Sequence, residues 1–167
     1  MRVLAIDPGL HAAACMYQPT ASLRSGMRWQ FLEVPVIPGR KRPDARVLRD
    51  WIMRHGPADR AFVENVSGMP GDGVKSMSVF MRATGYVEAT VQCCDVQMIP
   101  VAPLKWKNHH RMLVASSKED SRLLAIRLAP ELADVLALKK SHNFAEAALL
   151  AMYGAACLAP ILPPDGE

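Results

Sequence analysis

The chain has 167 residues, half of them hydrophobic, with mean hydropathy near zero, which is enough for one substantial core and cramped for two. Twenty Lys and Arg against sixteen Asp and Glu leave a formal charge of +4 and a pI near 9.0, a modest excess that suits a polyanionic partner. Cys15, Cys93, Cys94 and Cys157 form no CxxC and have no His at ligand spacing, which argues against structural zinc and predicts reduced, mostly buried thiols in a reducing compartment.

Strand pattern begins at Arg2, leaving no signal peptide, and no apolar run is long enough to span a bilayer, so the expectation is a soluble, cytoplasmic protein with no membrane partner. Arg2 to Ile6 reads as a short buried strand that delivers Asp7 to a Pro8-Gly9 turn, and Ala12 to Tyr17 as its hairpin partner. Met27 to Val34 fits a third strand, with Trp29, Phe31 and Val34 close to a period-two pattern. A basic turn, Pro38 to Pro43, precedes a helix from Asp44 to His55 with Val47, Leu48, Trp51 and Ile52 on one face, stopped by Gly56-Pro57.

Ala61 to Val63 is a fourth, buried strand ending on Glu64, and a right-handed crossover through the preceding helix sets it parallel to the first. Asn65 to Ser76 is a glycine-rich loop of a length that usually carries function. Met77 to Val91 has helical spacing, with Gly85 where another backbone approaches, and Val96 to Val101 is the fifth strand, closed by Pro103.

Leu104 to Val114 is a basic stretch, Ser117 caps a helix from Lys118 to Ala129, and Pro130 breaks it. A short helical piece over Glu131 to Leu138 and a last helix from about His142 to Cys157 complete the order. The expectation is therefore α/β: one domain over residues 1–157 with a five-stranded mixed sheet flanked by helices, then a loose proline-rich tail over 158–167.

If the first and fourth strands are parallel neighbours, Asp7 and Glu64 project into one crevice at the strands' carboxyl ends. Two acids so placed repel unless one is protonated or a cation lies between them, and oxygen-only ligation suits Mg²⁺ or Mn²⁺. Glu146 adds a third acid in an otherwise apolar helical run, with Asn143 and His142 on the same face three and four residues earlier. Each acid also has a plainer role, in a turn, at a strand end or on a solvated helix stripe. Together they favour a metal site.

An ordered set of motifs follows: Ala-Ile-Asp-Pro-Gly at 5 to 9, Phe-Val-Glu at 62 to 64, Met-Pro-Gly-Asp-Gly-Val-Lys-Ser at 69 to 76, Val-Ala-Pro-Leu-Lys-Trp-Lys at 101 to 107, Ser-Lys-Glu-Asp-Ser-Arg at 117 to 122 and Lys-Lys-Ser-His-Asn-Phe-Ala-Glu-Ala at 139 to 147. From Met1 to about Gly154 this set resembles RuvC-type Holliday junction resolvases, above all their phage-borne and chloroplast branches. The resemblance implies an RNase H-like fold, a homodimer in a bacterial or phage-infected cell, and Mg²⁺-dependent cutting of two opposed strands of a four-way DNA junction.

The resemblance implies two Mg²⁺ or Mn²⁺ ions, Asp7 bridging both, Glu64 holding one, and Glu146 holding the other or orienting the water, with His142 and Asn143 as helpers. Lys107 and Lys118 are candidates for offsetting charge at the scissile phosphate. Lys75, Arg82, Lys105, Arg111, Arg122, Lys139 and Lys140 are candidates for tracking DNA phosphates, and Met69 and Pro70 of the glycine loop for a wedge into the junction centre. The helix beginning at Met77, with Phe80, Met81 and Gly85, is a candidate dimer face.

One position departs from the family. Relatives commonly read Lys-Lys-Asp-His where this chain reads Lys-Lys-Ser-His, so Ser141 replaces a carboxylate with a group able to cap a helix but poor as a ligand for a hard cation. The alternative function is thus a junction-binding protein with weak or lost cleavage. A sugar-kinase-like phosphate protein, the other rival, would need two lobes and a second glycine-rich phosphate loop.

Overall fold

The computed structural model describes residues 1–20, 28–65, 73–113 and 116–159. Met69 and Pro70 of the glycine loop, the end of the proline-rich tail and the side chain of Lys139 lie outside that set. The described chain forms one mixed five-stranded sheet: β1 (Val3–Asp7), β2 (Ala13–Tyr17), β3 (Trp29–Glu33), β4 (Arg60–Glu64) and β5 (Met98–Val101), in spatial order β3-β2-β1-β4-β5. β1 to β3 form an antiparallel meander, and β4 and β5 join β1 in parallel, as the crossover expectation requires.

Five α-helices of the described residues flank the sheet: α1 (Ala45–His55), α2 (Val74–Gln92), α3 (Pro103–His109), α4 (Lys118–Leu128) and α5 (His142–Leu158). Side chains alternate along β1, so Leu4 and Ile6 pack with Leu48, Trp51 and Ile52 of α1 and Val87 and Val91 of α2. Val3 and Ala5 turn the other way, into a core built with Leu124 of α4 and the alanine-rich face of α5. Among the described residues, no helix is long and apolar enough to cross a membrane.

The helix ends follow their local chemistry. Asp44 caps α1 by accepting from Arg46 N (3.0 Å), and Gly56 closes it at φ +80°. Ser117 and Asp120 form a reciprocal capping box on α4. Ser141 behaves otherwise: it lies in a 3₁₀ turn, Lys139–Ser141, and its side chain makes no cap hydrogen bond to α5.

Several boundaries move. α2 begins at Val74, absorbing Lys75 and Ser76 from the expected loop, and Pro103 opens α3, where its missing N–H costs nothing. The piece expected over Glu131 to Leu138 is a single 3₁₀ turn, Pro130–Leu132, followed by turns. Val34 leaves the alternation of Trp29 and Phe31 and is buried in the opposite core.

Among the described residues, nothing lies within 4 Å of a Cβ built at Gly85; a close helix–sheet contact is at Gly154 instead, where a Cβ would stand 2.6 Å from the Phe62 ring. Only Cys15 is buried as expected, Cys94 being half-buried and Cys93 and Cys157 exposed.

Candidate active site

Strand register assembles the acids. Ile6 pairs with Val63 in the parallel β1–β4 ladder, so Asp7 and Glu64, one step further on, end their strands side by side. Alternation after Ala5 and after Phe62, both in the α5-side core, turns both carboxylates toward α5. That helix lies across β1 and β2, and Glu146, one turn from its start, completes the group.

All three line a cleft of about 700 Å³ with the Pro8-Gly9 turn, Lys107, Lys118 and Asn143. Gly9 sits at φ +145° with Phe80 of α2 against it, a Cβ there falling 3.5 Å from the ring. Only glycine makes that turn without strain.

The two strand acids are held differently. Glu64 Oε1 accepts from the indole Nε1 of Trp106 (2.7 Å), a fully buried residue of α3. Burial raises the Glu64 pKa, the Trp106 hydrogen bond opposes that shift, and Glu146 adds to it while Lys107 and Lys118 lower it. Asp7 lies deeper at the cleft floor, and its side chain accepts no hydrogen bond from the described residues. Burial first, then repulsion from Glu146 and Glu64, holds its pKa well above the ordinary 3.8, against a smaller pull from Lys118 and Lys107.

The polar rim is tied together across elements. Lys118 Nζ donates to Asn143 Oδ1 (3.4 Å), and Asn143 Nδ2 donates to the carbonyl of His11 (3.2 Å). Lys107 Nζ lies 5.5 Å from the Trp106 ring centroid, a cation–π contact beside Glu64. At the C-cap of α3, His110 Nε2 donates to the Leu149 carbonyl (2.8 Å), fastening α3 to the helix that bears Glu146.

The structure therefore brings together Asp7, Glu64, Glu146, His142, Asn143, Lys107 and Lys118, and adds Lys140 to the cleft wall. Lys75, Arg82, Lys105 and Arg111 are exposed but line no part of that cleft. Arg122 is committed within the fold: its guanidinium bonds Glu119 (2.7 and 3.0 Å) and the Leu136 carbonyl (2.8 Å), and only 13% of the side chain is exposed. An arginine so committed braces α4 against the following turns.

Sequence reasoning missed three lining or supporting residues. Trp106 carried no signal beyond its place in a motif, and His11 none beyond the turn. Glu33 was legible, because Trp29 and Phe31 set a parity that puts residue 33 on the same face. Among the described residues, no three His, Cys, Asp or Glu side chains close into a ready-made metal cage; the acids form an open set.

A Thermus thermophilus RuvC structure in complex with Holliday junction substrate superposes with a TM-score of 0.60 at 16% identity, covering 93% of each chain. The fold is the RuvC fold. A second Thermus thermophilus RuvC structure gives a TM-score of 0.55 at 19% identity, again with 93% of each chain covered. No family model and no curated protein matches the sequence. The likeness of architecture to RuvC is thus carried by the α/β frame, a five-stranded mixed sheet with flanking helices, over almost the whole chain.

Proposed function

We propose that this protein is a divalent-cation-dependent endonuclease that resolves four-way DNA junctions by nicking opposed strands. The observation that carries the reading is the convergence of Asp7, Glu64 and Glu146 from three elements on one cleft floor, with the pKa of Asp7 and of Glu64 raised. Uncompensated acids so close together are stable only with protons or a cation among them. A partly buried Asp7 carboxylate without a hydrogen-bond partner among the described residues is a free oxygen donor, and an oxygen-only set fits Mg²⁺ or Mn²⁺.

Asp7, Glu64 and Glu146 would hold the cation, with Asn143 and His142 alongside. When bound, such an ion, or a pair of them, lowers the pKa of an attacking water and offsets charge on the leaving oxygen. Trp106 holds one Glu64 oxygen in place and leaves the other free, which preorganises the acid. Lys118, fixed through Asn143 at the start of α5, and Lys107, over the Trp106 ring, place positive charge where a scissile phosphate would enter.

The RuvC superposed here with a junction substrate supports a four-way junction as the ligand. Lys140 on the cleft wall and exposed Lys75, Arg82, Lys105 and Arg111 extend the basic surface a branched DNA would cover. Paired nicks need paired sites, and α2 offers a face for a homodimer: Val74 and Met81 are 87% and 50% exposed, and Gly85 has open space above it.

The test is cleavage of a synthetic four-way junction with Mg²⁺ or Mn²⁺ by the wild-type chain, Asp7→Asn and Glu64→Gln. Cation-dependent paired nicking by the wild type alone supports the proposal. If all three bind the junction and leave it intact, the protein is a junction-binding module, consistent with Ser141 standing where relatives commonly carry an acid.

A further inference from the structure

A fourth carboxylate, Glu33, ends β3 at the level of Asp7. The register fixes this: Ala13 of β2 pairs with Asp7 on one side and with Glu33 on the other. Three residues in one row across three strands point to one face. The packing agrees, since Trp29 and Phe31, four and two residues earlier, lie against the α5-side core.

The middle member of the row is an alanine, so nothing longer than a methyl separates the acids. Two strand spacings set the Cα atoms of Asp7 and Glu33 roughly 10 Å apart, a span that a hydrated cation bridges between side chains leaning inward. Glu33 lines the main cleft with Asp7, Glu64 and Glu146. It also lines a smaller cavity of about 110 Å³ together with Lys140, Ser141 and Asn143. Among the described residues its side chain makes no hydrogen bond or ion pair, and the deeper Asp7 beside it has no hydrogen-bond partner either.

We propose that Glu33 is a further residue of the cation site, acting on the hydration shell of the ion on the side of Asp7 away from Glu64. The inference rests on the cation-dependent reading of the cleft and deepens it. Mg²⁺ gives up water reluctantly, so a carboxylate too distant for direct ligation still holds the ion through its water shell. Outer partners of this kind are worth about 10- to 100-fold in metal affinity. Position 141 lines the same small cavity as Glu33, so a carboxylate introduced there is expected to reach the same region of space.

The experiment is calorimetric titration of the full chain with Mn²⁺, together with junction cleavage as a function of Mg²⁺ concentration. Glu33→Gln is expected to weaken Mn²⁺ binding about tenfold and to raise the Mg²⁺ needed for half-maximal cleavage in parallel. Ser141→Asp in the Glu33→Gln background is expected to restore both. Wild-type Mn²⁺ affinity in Glu33→Gln, when Asp7→Asn has lost it, overturns the role of Glu33 and leaves the cation site standing. Failure of Ser141→Asp to restore binding also overturns it, because Glu33 then acts through its neighbours, Lys140 first among them. If the wild type itself binds no Mn²⁺, the cation reading and this inference fall together.

Discussion

The two faces of the sheet share the same strands and end differently. Toward α1 and α2 the core is made of large side chains, Leu4, Ile6, Leu48, Ile52 and Val63, which hold the helices off the sheet. Toward α5 the helix contributes Ala145, Ala147, Ala148 and Ala151, and Gly154 leaves no room for a Cβ against Phe62. Small side chains let α5 lie close, and closeness carries Glu146 into electrostatic reach of Asp7 and Glu64. The difference teaches that the site depends on a thin layer of alanine as much as on its acids.

Removing the deepest acid is the hardest test of that contrast. Asp7→Asn is expected to lower cleavage by about 10³-fold, equivalent to roughly 4 kcal/mol of transition-state stabilisation. The same change should stabilise the cation-free protein. A carboxyl whose folded pKa is raised contributes stability that is complete below its unfolded value, near 3.8, and is lost as pH rises through the folded value. Thermal melts in a chelator should therefore show Asp7→Asn above the wild type at pH 7, with the gap closing toward pH 3. A gap that persists at low pH would assign the gain to something other than charge.

Next in size is the brace between the layers. Trp106→Phe keeps the ring's bulk in large part and deletes the N–H that holds Glu64. Cleavage should fall about 10- to 100-fold with junction affinity retained, measured by single-turnover kinetics beside a binding titration. Equal losses in both would assign Trp106 to packing alone.

Matched core changes sharpen the comparison of faces. Gly154→Ala pushes a methyl into Phe62 and should cost about 1–3 kcal/mol while also slowing cleavage, because α5 must move away from the sheet. Ile52→Ala on the other face should cost more stability, roughly 2–5 kcal/mol, yet leave the cleavage rate of the folded fraction unchanged. Denaturant melts and cleavage at a permissive temperature separate the two quantities.

The smallest expected effect is at the rim. Lys118→Ala should lower the salt slope of junction binding by about 1 in log–log form, the signature of one lost phosphate contact. Arg122→Ala should leave that slope alone and lower Tm instead, since its guanidinium serves Glu119 and the Leu136 carbonyl.

Much of the frame could be read along the chain because it rests on local rules. Period-two alternation and the strand–helix–strand order placed β1 beside β4 in parallel, and so placed Asp7 beside Glu64. Asp44 and Ser117 announced α1 and α4 through side chains that satisfy the first backbone N–H groups. The parity that turns Phe31 inward was enough to put Glu33 on the face of the acids, although the sequence reading passed over it.

Tertiary structure decided what depends on partners distant in sequence. Position 106 cannot reveal that its indole meets a carboxylate 42 residues away, nor position 122 that a carbonyl at 136 claims its guanidinium. Gly85 and Gly154 look alike in a helical pattern, and only the packed sheet shows which has a ring against it. Periodicity says which face a residue occupies; what stands opposite is set by how the layers close. In this protein, layers closed by alanine make three separate acids one site.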